Sequence, residues 1–419
     1  MPAIHMQKPV EIFPMEAGDF QDNSRRWNAE LQYNNTFGNL DLIIGGQYQM
    51  DQANSRGTYL LDEDENDYIN IGQYGAYVHG NYKISDKWRV VGAARGDYHQ
   101  VYEFNFVPKL GILHTGENGT WRLTYSKGIA APTILNMYGN LFSGLILGNS
   151  DGFTLVDGTV IDKQRVEKIQ TFELGYRGLL AENKLVIDAN AYYNISKDFL
   201  SPVTVIGVAA LRGEDSVKHI QAGYGAYGGL VATYINFGQV NTYGFDLGAT
   251  YHFTKALSAT VNYSYFNWSV DETDMANDFN KDGVVNFLDI LVNAPNHKFG
   301  VGLNYSGDKF YANTYLRWVQ QYDYFSSYQI ASETHEGLTY RGTPIVENAR
   351  STDTYNYGPL GGFATVDLGL GYRFGKYFSL GASASNLFNN SLREFTASAP
   401  TRGLYTLELR FNLPAITAK

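Results

Sequence analysis

The chain contains no cysteine, which removes disulfide frameworks, thiolate metal sites and cysteine nucleophiles together. An oxidising envelope compartment fits that absence, because stray thiols are a liability there. No apolar run reaches the length a membrane-spanning helix requires, and the mean hydropathy is -0.28, so a helical membrane protein is excluded. A membrane barrel is not, since its strands need an apolar residue only at every second position. No run of lysine or arginine appears and the formal net charge is -10, which argues against a nucleic-acid partner. Acidic loops facing outward account for the sign. Between Met1 and Phe20 no basic segment leads into an apolar one, so no signal peptide is visible.

What is abundant is aromatic and glycine residues. The 33 tyrosines, 24 phenylalanines and 44 glycines stand against only 11 prolines, a balance expected of strands that meet lipid with aromatic girdles. Alternation is the clearest pattern. From Leu185 to Ile195 one parity holds Leu185, Ile187, Ala189, Ala191, Tyr193 and Ile195, and the other holds Asp188, Asn190 and Asn194. Leu257, Ala259, Val261, Tyr263 and Tyr265 alternate in the same way with Ser258, Thr260, Asn262 and Ser264, and Tyr405 to Phe411 with Thr406, Glu408 and Arg410. The polar face is too hydrophilic for a sandwich core and suits a lumen.

Segments of this kind number about fifteen between residues 25 and 412. Their connections differ systematically. Gly38-Asn39, Ser85-Asp86, Glu117-Asn118-Gly119, Glu182-Asn183, Gly307-Asp308 and Gly375-Lys376 are tight turns, whereas 54–67, 130–166, 199–239, 271–296 and 325–362 are long. Short turns on one side and long loops on the other describe an all-β, antiparallel transmembrane β-barrel. The expected organisation is an irregular segment over 1–23, the barrel over 24–412 with an external loop at 271–296, and a tail over 413–419.

Several segments then resemble the C-terminal barrel of TonB-dependent receptors. They are Tyr125 to Thr133, where a strand runs into Pro132; Val166 to Tyr176 with Glu173 and Gly175; Asn241-Thr242-Tyr243-Gly244-Phe245-Asp246; and Asn386-Leu387-Phe388-Asn389 before the last strand. The resemblance spans about Arg26 to Phe411 and rests on the order of these motifs, which mark strands and turns. It implies an outer-membrane location and TonB-dependent uptake of a small nutrient ligand such as a siderophore, vitamin or oligosaccharide. It also implies a plug domain through which TonB acts. Such barrels have about 22 strands, so the resemblance gives the expectation that the plug and first strands lie outside this chain. A passive porin-like channel and a soluble, extracellular calcium-binding β-protein are the alternative readings.

The sharpest local motif runs from Asp278 to Asp289. Asp278, Asn280, Asp282, Asn286 and Asp289 carry side-chain oxygens at loop positions one, three, five, nine and twelve, Gly283 takes position six, and Val284 offers its carbonyl at position seven. This resembles the dockerin form of the EF-hand loop, with aspartate in place of the final glutamate, and predicts a calcium site of modest affinity. Candidate ligand-stacking aromatics are Tyr224, Tyr227, Tyr322, Tyr324, Phe325 and Tyr328, in or beside long loops, with an interfacial girdle as the other reading. The acidic run Asp62 to Asp67 reads as a solvated loop. Gly223 to Gly228 fits a dinucleotide fingerprint only formally, without a βαβ unit around it, and reads as a loop tip. The eight histidines show no metal-ligand spacing and no serine sits in a nucleophile elbow. Glu173, Asp188, Asp246, Asp367 and Glu408 are expected to line the lumen, and no enzyme is expected.

Overall fold

A computed structural model describes residues 20–201, 203–279, 283–285, 289, 292–322, 362–392, 394 and 401–412, with the backbone alone of 325–326, 329–330, 339–340 and 343–344. The alternating segments form one antiparallel sheet of 15 strands in which each neighbours the next along the chain. Its strands are β1 (Arg25–Phe37), β2 (Leu40–Ala53), β3 (Ile69–Lys83), β4 (Trp88–His99), β5 (Glu103–Thr115), β6 (Gly119–Ala130), β7 (Glu167–Leu180), β8 (Leu185–Leu200), β9 (Asn236–His252), β10 (Leu257–Val270), β11 (His297–Ser306), β12 (Phe310–Val319), β13 (Phe363–Arg373), β14 (Phe378–Ser385) and β15 (Leu404–Phe411). These are the segments that the alternation picks out. Among the described residues, β1 and β15 pair along one edge only.

Register carries the alternation from strand to strand, so the wall has two chemically distinct faces. Phe172, Leu174 and Tyr176 of β7 lie opposite Tyr193, Ala191 and Ala189 of β8, and on the other side opposite Tyr125, Leu123 and Trp121 of β6. Glu173 instead lies opposite Tyr192 and Thr124, and Gly175 opposite Asn190 and Arg122. Aromatic rows cross the apolar face. One follows Trp88, His114, Trp121 and Tyr176 near the short turns, and others follow Tyr48, Tyr74, Tyr98 and Phe104, and Tyr125, Phe172, Tyr193 and Tyr243. Leu31 and Leu407 stay 82% and 73% exposed on this face. Such large apolar residues gain nothing from water, so the burial that stabilises the wall comes from lipid. Every strand pairs its backbone with a neighbour, which the hydrocarbon interior demands.

Side-chain pairs tie nearby strands across the polar face. Tyr77 Oη donates to Glu30 at 2.6 Å, Arg95 pairs with Asp97 at 2.6 Å and reaches Gln47 at 3.1 Å, and Arg122 reaches Glu173 at 3.3 Å and Asn190 at 3.4 Å. Asp188, Asp246, Asp367 and Glu408 share this face by register, as expected. Asp367 has a second task. Its Oδ1 accepts from the Asn386 amide at 2.7 Å, and Asn386 and Asn389 take φ of 50° and 54°, which asparagine tolerates better than most residues. That is the physical content of the Asn-Leu-Phe-Asn motif.

The larger packed core lies in the long connections, and a smaller cluster joins Ile71 of β3 to Val101 and Met137. Residues 130–166 and 199–239, expected as loops, join as a seven-stranded sheet with short helices at Ile134–Tyr138, Val217–Ile220 and Tyr224–Tyr227. Leu147, Phe153, Leu155, Ala209, Val217 and Val231 are buried at its centre. Sequence alternation missed it because most of its strands are two to four residues long and pair with partners far along the chain. The tip expected at Gly223 to Gly228 is one of those helices. The acidic run also departs from expectation at Asp62, which is buried and accepts from the Ser55 amide at 2.7 Å, Ser55 Oγ at 2.5 Å and the Gly57 amide at 3.1 Å. The first nineteen residues and the 413–419 tail lie outside the described residues.

Candidate functional site at the lumenal face

At the long-connection end of β10, β11 and β12 the polar face is hollowed into a cavity of about 370 Å³. Its position follows from register. Asn262 of β10 lies opposite Gly300 of β11, which lies opposite Arg317 of β12, while Ser264 lies opposite Lys298 and Lys298 opposite Val319. Two glycines open the space, because the Tyr315 ring lies across Gly300 and Gly302 where any Cβ would crowd it. Asn262 Nδ2 donates to Tyr315 Oη at 3.4 Å. Tyr322 and Phe363 complete an aromatic rim.

The charges in this cavity are unequal. Arg317 donates to both carboxylate oxygens of Glu394, at 2.7 Å and 3.2 Å, and its guanidinium lies 5.0 Å from the centre of the Phe363 ring. Glu394 comes from the connection between β14 and β15, not from the wall. Lys298 also lines the cavity, and among the described residues no hydrogen bond or ion pair engages its ammonium. The cavity thus offers two cations, one carboxylate, neutral hydrogen-bonding groups and aromatic faces, which is the equipment of a binding site for a small polar ligand.

Of the aromatic candidates, Tyr322 lines this cavity. Tyr224 packs against the hydrophobic cluster of the connection sheet, with the Lys218 ammonium 5.6 Å from its ring centre, and Tyr227 sits on the same helix beside Gly223. The backbone of Phe325 enters a short hairpin with Gln329–Ile330, and Tyr324 and Tyr328 lie outside the described residues. Lys298, Arg317, Tyr315 and Glu394 were missed. For the first three the signal was present as polar parity within strands, but nothing local marks which wall residues face a cavity.

The acidic loop leaves β10 and folds back on β9. Asn277 Oδ1 accepts from the Gln239 amide at 2.7 Å, and the Phe279 ring packs at a tilt with its centre 4.7 Å from that of Phe237. Asp278 is buried and its Oδ2 accepts from the Gly283 amide at 2.9 Å, with Gly283 at φ +90°. Asp289 is fully buried and Val284 is exposed, while Asn280, Asp282 and Asn286 lie outside the described residues. Among the described residues no three acidic or histidine side chains converge as a metal cluster.

Residues 9–387 match the family model described as TonB dependent receptor-like, beta-barrel. No curated protein matches the chain. Solved structures with a similar fold include the siderophore receptor PirA from Pseudomonas aeruginosa, at 14% identity and a TM-score of 0.55. They also include a variant of the ferric enterobactin receptor from the same organism, at 17% and 0.61, and the copper transporter OprC, at 16% and 0.60. Each alignment covers 93% of this chain but only 54% to 56% of the matched structure, so the chain spans about half the length of these structures. With its alternating strands, two-faced wall and a family match over most of its length, the chain belongs to the TonB-dependent receptor β-barrel family.

Proposed function

We propose that this chain forms the barrel of an outer-membrane receptor that takes up a small nutrient with energy relayed by TonB. One observation carries the reading: a wall that is apolar outside and polar inside, with folded connections gathered at one end where a ligand arrives. The three structures named above are, by their descriptions, a siderophore receptor, a ferric enterobactin receptor and a copper transporter, which supports a metal or metal chelate as the cargo class. Coupling to TonB runs through a plug seated against the polar face. Uptake of a radiolabelled candidate nutrient by cells carrying the full-length receptor is expected to be saturable and to stop when TonB is deleted. Uptake that continues without TonB would establish the passive channel instead.

We also propose that the loop from Asp278 to Asp289 binds calcium. The support is the ligand spacing together with one local geometry, the position-one carboxylate receiving the position-six amide over a glycine with positive φ. Because Asn277 and Phe279 tie the head of this loop to β9, calcium would fix the loop against the barrel rim. Chelation with EGTA is expected to expose the 271–296 segment to protease and leave the wall intact, and re-addition of calcium to restore protection. Identical cleavage in both conditions would remove the calcium reading.

A further inference from the structure

The pair between Arg317 and Glu394 differs from the other ion pairs of the polar face. Arg122 with Glu173, and Arg95 with Asp97, join residues of the wall itself, where register fixes both partners. Arg317 is fixed by β12, but Glu394 reaches it from the β14–β15 connection, 77 residues along the chain. Both ends of the pair are accessible, with side chains 39% and 48% exposed. An accessible pair of this kind contributes about 0 to 1 kcal/mol, so its exchange for another carboxylate costs little. The geometry itself is the two-pronged match of guanidinium to carboxylate.

Further groups line the same cavity around the pair. Lys298 presents a second ammonium to the same cavity, so lysine and arginine together exceed the one carboxylate by one positive charge. Asn262 and Ser264 offer hydrogen bonds from β10, and Tyr315, Tyr322 and Phe363 offer aromatic faces. We infer that the cavity binds the carboxylate of a small organic anion on Arg317 and Lys298, and that Glu394 holds the place of that carboxylate when no ligand is present. A ligand with a carboxylate and a flat body gains the same two-pronged contact that Glu394 makes, together with the Lys298 ammonium and the rings. A neutral ligand of the same shape meets an arginine already engaged. This specifies the ligand class for the uptake reading and rests on that reading, although binding and uptake are separable measurements.

The test is calorimetric titration of the full-length receptor in detergent at low ionic strength, with the aromatic dicarboxylate phthalate and with its neutral dimethyl ester. Phthalate is expected to bind and the ester not. Glu394→Gln is expected to tighten phthalate about two- to fivefold, since the competing anion is gone, and Lys298→Ala to weaken it about tenfold. Arg317→Ala is expected to abolish binding, and because Lys298 holds no ion pair among the described residues, its variant keeps the test decisive if the arginine variant misfolds. The inference is overturned if phthalate binds no better than its ester, or if Glu394→Gln leaves the affinity unchanged or lower. Loss of TonB dependence in uptake would sink the receptor reading without moving these affinities, so the two failures are distinguishable.

Discussion

Gly244→Val is expected to stop the wall from assembling, seen as loss of the folded, detergent-resistant form on a gel run without heating, while Gly248→Ala on the same strand assembles normally. A side chain at 244 would overlap the backbone carbonyl oxygen of Tyr265 on β10 and come within 2.7 Å of Tyr192 Oη on β8. Tyr192 lies directly opposite Gly244 and lays its ring across it, so the glycine is the seat of the tyrosine. Backbone cannot retreat as a flexible side chain can, and overpacking at such a site costs about 3 kcal/mol. At Gly248 the nearest atom to an added Cβ is Asn262 Oδ1 at 3.5 Å, an ordinary contact. Normal assembly of Gly244→Val would show that the inner face yields more readily than this packing allows.

Arg212→Met is expected to unfold the connection sheet and leave the wall standing. Arg212 is 6% exposed, and its guanidinium donates to the carbonyls of Gly148 at 2.8 Å and Met137 at 3.0 Å and to Ser150 Oγ at 2.7 Å, while pairing with Asp151 at 2.7 Å. Burial pulls its pKa down from the usual arginine value, and the Asp151 charge opposes that pull. Asp151 is 47% exposed and can be hydrated if the arginine goes, so the ion pair itself is the smaller part. The larger part is the acceptors left without donors, at about 1 to 3 kcal/mol for each one that stays buried. Hydrogen exchange is expected to accelerate over 134–166 and 204–233 and to stay slow in β7 and β8. Unchanged protection of the connection sheet would mean that its apolar cluster suffices without the arginine.

These two sites show where the sequence is readable. Gly244 belongs to a motif that resembles its family's pattern, and the structure supplies the reason, an inner tyrosine that needs a bare backbone beneath it. Asn386 and Asn389 are readable in the same way, as turn residues with positive φ that close on Asp367. Arg212 carried no signal at all. A lone arginine between Leu211 and Gly213 looks like any surface cation, and only the approach of residues 137 and 148–151, more than sixty positions earlier, makes it a buried keystone. The cavity beside Lys298 lies between these cases, since parity put its wall residues on the polar face but no local pattern set them around one hollow.

The sequence alone determined the fifteen strands, their turns and the sign of each face, because alternation with period two is a local property that lipid and water read directly. It also determined the spacing of the acidic loop. The tertiary structure alone decided how the long connections fold, that Tyr224 supports a core while Tyr322 lines the lumenal cavity, and that Glu394 meets Arg317. Those contacts join residues far apart in the chain, through short strands and single side chains whose partners carry no periodicity, so nothing in the local sequence could announce them.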